Sequence, residues 1–224
     1  MDIPFTVEQF FEIFRSYNEA IWPAQVLAYL LGILVLVLAW RTSKISNRLI
    51  GGILAIFWIW MGVFYHILHF SAINPAAKVF GVVFILQGLL FFVAGALLDK
   101  ITFRFIVKPL PIIGGVFILY AMIVYPALGI FFGHIYPAAP MFGVVPCPTT
   151  IFTIGILLCT TNKVPGYLLV IPFLWSLVGM SAAINLRVPQ DYGLVISVVL
   201  GTILILIQNR KAATAAKRPD PASV

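Results

Sequence analysis

Long apolar runs with very few charges alternate with short polar segments along the chain and predict membrane-spanning helices. A helix rises about 1.5 Å per residue, so about 20 apolar residues cross the roughly 30 Å hydrocarbon core of a bilayer. Seven runs approach this length, of which the fifth is short: Trp22–Trp40, Leu49–His69, Ala77–Leu98, Leu110–Phe132, Pro146–Thr160, Pro165–Ile184 and Tyr192–Gln208. We therefore expect an all-α membrane protein with seven transmembrane helices over residues 22–208.

The first 21 residues have a different pattern, which predicts an amphipathic helix. Thr6 and Gln9 have the spacing of a capping box, and Phe5 and Phe10 have that of a hydrophobic staple, so the helix should start at Thr6. Apolar and acidic side chains then fall largely on opposite faces. We expect residues 1–21 to lie in the outer membrane interface, where they either shield the outer mouth of the helical bundle or simply anchor the start of the chain.

Composition and charge support a membrane protein and give its orientation. Hydrophobic residues make up 62% of the chain and charged residues 9%, which excludes a soluble globular protein. Eleven Lys and Arg residues lie in the loops and tail on the same membrane side as the C-terminus. Three lie on the opposite side, with the N-terminus. Because basic loops stay in the cytoplasm, the N-terminus should be outside and the C-terminus inside. Residues 209–224 are expected to form a disordered cytoplasmic tail. The net charge of +7 fits a membrane surface, and we expect no nucleic-acid partner.

Two outer loops share a nine-residue string that suggests an internal repeat. Pro75–Val83 and Pro137–Val145 are identical at seven of nine positions. This spacing predicts one leading span followed by three parallel hairpins, formed by spans two and three, four and five, and six and seven. A local explanation stays open, since proline is common at helix starts and glycine at close helix contacts.

Three histidines and a cysteine at the outer membrane side form a candidate metal site. His66 and His69 are three residues apart on one helical face, His134 follows the fourth span, and Cys147 starts the fifth. This set could bind a transition metal such as zinc or copper, and two facing imidazoles could hold a haem. The alternative is that these side chains are ordinary interface residues, because histidine suits the boundary between water and lipid.

A few other polar residues could contact a solute. Gln87 lies deepest within a span, where it should hydrogen-bond to another helix, and Tyr136 and Glu19 lie near the outer end; we take these three as candidate substrate-binding residues. Arg187 and Asp191 in the last outer turn could pair or gate an entrance, or face solvent. No Asp, Glu, Lys or Arg lies inside a span, and no nucleotide-binding or hydrolase motif occurs.

Three functional hypotheses remain open. The first is a transporter, channel or sensor that handles a small solute or metal ion at an extracytoplasmic site lined by the histidines and the cysteine. The second is a haem- or metal-dependent membrane redox enzyme that uses the same residues. The third is an accessory subunit that docks a partner through its N-terminal helix. The lipid bilayer is an expected partner in each case, and self-association is a further option.

The chain resembles small bacterial multi-pass membrane proteins grouped as a domain of unknown function. The resembling segments are Phe5–Phe11, Tyr17–Gln25 and Phe132–Thr153, and the similarity extends along most of the chain. The resemblance implies a location in the bacterial inner membrane. It implies no activity and therefore no functional residues.

Overall fold

A computed structural model describes residues 4–215, which fold into helices without any β-strand. Three of the helices contain π-helical stretches, at Met61–His69, Phe92–Leu97 and Tyr120–Val124. The α-helices are α1 Val7–Ala20, α2 Ala24–Arg41, α3 Lys44–Trp60, α4 Ala77–Phe91, α5 Pro109–Leu119, α6 Tyr125–Phe131, α7 Pro146–Leu158, α8 Tyr167–Asn185 and α9 Tyr192–Ala215.

Within the described range, six helical segments are long and apolar enough to cross a membrane. The seven spans expected from the sequence are not confirmed, because α7 has only 13 residues and is about 20 Å long. Twelve of those residues are buried, so α7 forms the core of the bundle rather than part of its lipid-facing surface. The outer helices expose many large apolar side chains, as expected for a protein surrounded by lipid.

Consecutive helices pair as hairpins, and glycines allow two of these pairs to approach closely. In the pair formed by α3 and α4, a Cβ at Gly51 would lie 2.7 Å from the backbone of Gly95. Between α5 and α7, a Cβ at Gly114 would lie 2.4 Å from the carbonyl oxygen of Gly155. Helices α8 and α9 form the third pair. Small residues at such contacts increase van der Waals packing, which drives association inside lipid.

The internal repeat is not confirmed, because the two matching strings have different conformations. Residues 77–83 form the first two turns of α4, whereas residues 137–145 form turns before α7. Gly143 has a φ of +80°, and a Cβ there would lie 2.5 Å from Ala28 Cβ. Only glycine tolerates this combination of positive φ and close contact. The two strings therefore do not share a structure at this place.

Non-helical chain closes one end of the bundle beneath α7. Ile101 and Phe103 are fully buried, and Phe103 forms an isolated bridge with Thr160 at the end of α7. The Asn47 side chain accepts a hydrogen bond from the Phe103 amide at 2.9 Å, and Asn162 accepts one from the Thr102 amide at 2.8 Å. We call residues 100–105 the plug. The helix ends around it contain most of the basic residues, and we call this the basic end.

The predicted N-terminal helix is confirmed, while the C-terminal boundary differs. Thr6 caps α1 through a capping box with Gln9, and the Phe5 and Phe10 rings stack at 6.1 Å. At the other terminus, α9 continues to Ala215 instead of ending at Gln208. The remainder of the tail expected to be disordered, residues 216–224, lies outside the described residues.

Candidate functional site

A cavity of ≈ 280 Å³ lies at the end of the bundle opposite the plug. Phe5, Phe10 and Phe14 of α1 and its preceding segment line it from one side. The start of α7, the last turns of α8 and the turn before α9 line much of the remainder, together with aromatic residues of the Met61–His69 stretch, α4 and α6. We call it the α1 cavity. Because the apolar face of α1 packs over it, the amphipathic helix covers this end of the bundle.

One buried carboxyl group provides the main polar feature of the α1 cavity. Asp191 ends the short turn Pro189–Asp191 and is only 3% exposed. Its Oδ1 accepts a hydrogen bond from the Tyr125 hydroxyl at 2.5 Å. Cys147, in the first turn of α7, lies beside this carboxyl group and lines the same cavity.

Aromatic side chains form much of the cavity wall. Tyr65 and Phe70 stack with ring centroids 5.6 Å apart, and Phe80 meets Trp175 edge-on at 5.7 Å. These four residues and Tyr125 all line the cavity. The indole Nε1 of Trp175 has no hydrogen-bond partner among the described residues. The site thus combines a large apolar surface with a small polar patch, a composition common in small-molecule sites.

Buried hydrogen bonds fix the C-terminal half of α1 to the bundle. Asn18 is fully buried, and its Nδ2 donates to the carbonyl oxygens of Pro137 at 2.6 Å and Ala139 at 2.8 Å. The Tyr17 hydroxyl donates to the Val144 carbonyl at 2.8 Å and accepts from the Trp60 indole at 2.9 Å. Burial raises the pKa of Tyr17, which keeps this hydroxyl protonated and able to donate.

The cavity face of α1 and of the segment before it contacts the bundle through aromatic rings. Phe5 meets Phe70 at a centroid distance of 5.4 Å, and Phe14 stacks on Tyr65 at 5.7 Å. Phe10 also contacts Phe70, at 6.1 Å. Such contacts lack the directionality of the buried hydrogen bonds at Tyr17 and Asn18. The half of α1 over the cavity is therefore the half with fewer specific restraints.

The four predicted metal ligands occupy separate environments. His66 is fully buried against Phe84 and Trp175, at centroid distances of 4.6 and 5.2 Å, and neither ring nitrogen has a partner in the described structure. His69 Nδ1 lies 2.7 Å from the Phe64 carbonyl oxygen. Among residues 4–215, no three His, Cys, Asp or Glu side chains are close enough to hold one metal ion. The predicted shared site of His66, His69, His134 and Cys147 is not assembled by this fold.

His134 belongs to the contact between α1 and the rest of the bundle. Its ring stacks on Phe11 with centroids 4.3 Å apart, and its Nδ1 lies 3.1 Å from the side-chain nitrogen of Gln190. Burial lowers the pKa of His134, although the Gln190 contact opposes this shift. The neutral imidazole is therefore the form that this packing favours.

The three predicted substrate-binding residues do not line the α1 cavity. Gln87 is fully buried and donates to the Leu168 carbonyl at 3.0 Å, which confirms the expected bond between helices, here α4 and α8. Tyr136 is 44% exposed and lines a smaller cavity of ≈ 120 Å³ next to the first. Glu19 lies on the exposed surface of α1.

The sequence pattern singled out Cys147 and Asp191 in other roles and gave no role to Tyr125, so the polar patch that these three residues form was not predicted. Asp191 was expected to pair with Arg187, to gate an entrance or to face solvent, whereas the structure turns Asp191 inward onto Tyr125. One available signal was its position two residues after Pro189 and directly before an apolar run. Tyr125 carries a weaker signal, since it precedes Pro126 inside a span.

Comparison with known proteins gives a family but no activity. A profile described as a family of unknown function (DUF6064) matches residues 7–216. Searches of curated proteins and of solved structures found no match.

Proposed function

Because the chain belongs to DUF6064, a family of unknown function, we propose its function from the geometry of the α1 cavity. We propose that this integral membrane protein binds a small, largely apolar solute at the outer face of the bacterial inner membrane. The observation that carries the proposal is a cavity of ≈ 280 Å³ with aromatic walls and a buried carboxyl group, covered by an amphipathic helix.

The size of the cavity suits a compact organic molecule. A dry apolar cavity of about 150 Å³ can bind benzene. The α1 cavity is nearly twice as large, so a ring with a short polar side chain would fit. Its wall offers hydrophobic contact for the ring, and Asp191, Tyr125 and Cys147 offer polar contacts for one end of the molecule.

The distribution of basic residues supports an outward-facing cavity. Arg41, Lys44 and Arg48 lie around the turn between α2 and α3, and Lys100 and Arg104 belong to the plug. All of these lie at the basic end, away from α1, and the positive-inside rule places that end in the cytoplasm. A green fluorescent protein fused to the C-terminus is therefore expected to fluoresce, because it would remain in the cytoplasm.

Transport is a second candidate, favoured by the helix geometry beside the cavity. Met61–His69 and Tyr120–Val124 are π-helical, and the second segment runs directly into Tyr125. Such departures from α-helical hydrogen bonding often occur at functional sites and permit local rearrangement. A carrier would need the helices to move next to the cavity, so that the end of the bundle closed by the plug could open after the solute has bound.

A pair of variants at Cys147 tests solute binding. Cys147→Phe should fill part of the cavity, whereas Cys147→Ser leaves its volume almost unchanged. We expect phenethyl alcohol to bind wild type and Cys147→Ser with one-to-one stoichiometry in calorimetry, after subtraction of heat from empty micelles. Cys147→Phe should bind at least about tenfold more weakly. Non-saturable uptake by wild type, or equal binding by Cys147→Phe, would contradict the proposal.

A further inference from the structure

We infer that the solute of the α1 cavity is an organic cation, with an ammonium group on a small apolar skeleton. The inference rests on the proposed solute binding and specifies its chemical class. In this arrangement the Asp191 carboxylate accepts a hydrogen bond from the ammonium group, and the aromatic wall surrounds the remainder of the molecule. Three features support it: the absence of a protein counter-charge among the described residues, the aromatic lining and the clustering of Asp191, Tyr125 and Cys147 in a polar patch.

The first feature is the unbalanced carboxyl group of Asp191. Within residues 4–215, no Lys, Arg or His forms an ion pair with it, while Arg15 pairs with Glu12 at the surface. The neighbouring polar groups that face it, Tyr125 and Cys147, carry no positive charge. A buried carboxylate is costly unless a counter-charge or several hydrogen bonds compensate it. An ammonium ligand would supply both a positive charge and donors.

The second feature is the concentration of aromatic rings around this carboxyl group. Tyr65, Phe70, Phe80, Tyr125 and Trp175 line the same cavity as Asp191. The negative face of an aromatic ring attracts a cation within about 6 Å, and this attraction strengthens when water is excluded. A neutral or anionic head group would not gain this energy. An anionic group would also meet the repulsion of Asp191.

The third feature is the separation of polar and apolar regions within the cavity. Asp191, Tyr125 and Cys147 cluster together, just before α9 and at the starts of α6 and α7, while Phe10 belongs to α1 and Phe5 to the segment before it. A ligand with one charged end and one apolar end matches this arrangement. Sugars and other uniformly polar solutes would leave most of their hydrogen-bonding groups without partners.

Three compounds with the same skeleton test the inference: phenethylamine, phenethyl alcohol and phenethyltrimethylammonium. Calorimetry on the full chain in detergent should show the amine binding wild type about 10- to 100-fold more tightly than the alcohol, which is the range for a hydrogen bond to a charged group. The trimethylammonium compound, which cannot donate, should fall between them because it keeps the charge and the aromatic contacts. Asp191→Asn should abolish the preference for the amine and leave alcohol binding within about twofold.

Two controls separate the charge of Asp191 from other effects. Glu19→Gln removes an exposed carboxyl group from α1 and should keep the wild-type preference. Tyr125→Phe keeps the Asp191 carboxyl group and should retain a preference for the amine, which provides a second reading if Asp191→Asn fails to fold. Saturable alcohol binding without any amine preference would overturn the inference and leave solute binding intact. Absence of saturable binding by all three compounds would overturn both.

Discussion

The clearest prediction concerns Asn18, which fixes α1 over its cavity. Asn18→Ala removes the two hydrogen bonds that its Nδ2 donates, at 2.6 and 2.8 Å, and leaves the carbonyl oxygens of Pro137 and Ala139 without this donor. It also removes the longer bond, at 3.3 Å, that its Oδ1 accepts from Gln25 Nε2. A net hydrogen bond contributes about 1 kcal/mol, and a buried polar group without a partner costs about 1–3 kcal/mol. Partial hydration of the two carbonyls would reduce the total, so we expect a loss of about 2–4 kcal/mol in the free energy that holds α1 closed.

This loss should appear as faster modification of Cys147, which lines the cavity beneath α1. Fluorescein maleimide is bulky and Cys147 is only partly exposed, so its reaction should be slow while α1 covers the cavity and should accelerate when α1 opens. A loss of 2–4 kcal/mol corresponds to a rate increase of roughly 30- to 1,000-fold, until opening itself becomes limiting. Peptide mass spectrometry after timed labelling would measure the rate.

Two internal comparisons make the Asn18 experiment decisive. Cys159 is fully buried near the basic end, so its labelling reports global unfolding rather than movement of α1. Ser16→Ala changes an exposed position on the same helix and should leave the Cys147 rate at the wild-type value. The reasoning is refuted if Asn18→Ala labels Cys147 no faster than wild type, or if Cys147 and Cys159 accelerate equally.

Three further perturbations test the packing. Gly114→Ala should lower the thermal midpoint because its Cβ would meet the Gly155 carbonyl oxygen, whereas Gly52→Ala, with open space around it, should raise stability by about 0.5–1 kcal/mol. Phe103→Ala should lower the free energy of unfolding by about 3–5 kcal/mol, measured by denaturation. It should also loosen the plug, which faster labelling of Cys159 at the basic end would report. Burial lowers the pKa of His134 below its ordinary 6.5, so protonation opposes the docked form and docking of α1 should weaken as pH falls through 6.5. The thermal midpoint of wild type should therefore fall between about pH 7.5 and 5.5. The midpoint of His134→Gln should fall less over the same range.

Features that depend on neighbours in the sequence were predictable. The capping box of Thr6 and Gln9 is complete within four residues, so it specified the start of α1 without knowledge of the fold. The apolar runs likewise indicated the long helices, because a bilayer forces backbone groups to bond within their own segment. Even Gln87 was predictable as a link between helices, since a buried amide in lipid needs a partner.

Features that depend on distant contacts were not predictable. The strings Pro75–Val83 and Pro137–Val145 differ at only two positions, yet most of one is helical and the other forms turns. The turns are fixed by Asn18, which is more than 100 residues away in the sequence. The separate environments of His66, His69 and His134 have the same origin, since residues at one membrane level can still pack against different neighbours. Membrane depth follows from sequence position, whereas position around the bundle axis does not.

The sequence by itself determined the helical class, the length of most helices, the amphipathic character of α1 and the separation of basic residues from the histidine end. These follow from local hydrogen bonding and from the free energy of placing each side chain in water or lipid. The tertiary structure alone decided that α7 is buried at the centre, that residues 100–105 close the basic end, and that Asp191 turns inward. Those outcomes depend on which helix faces pack together, and in lipid small differences in van der Waals contact and a few buried hydrogen bonds select among many packings of equally apolar helices.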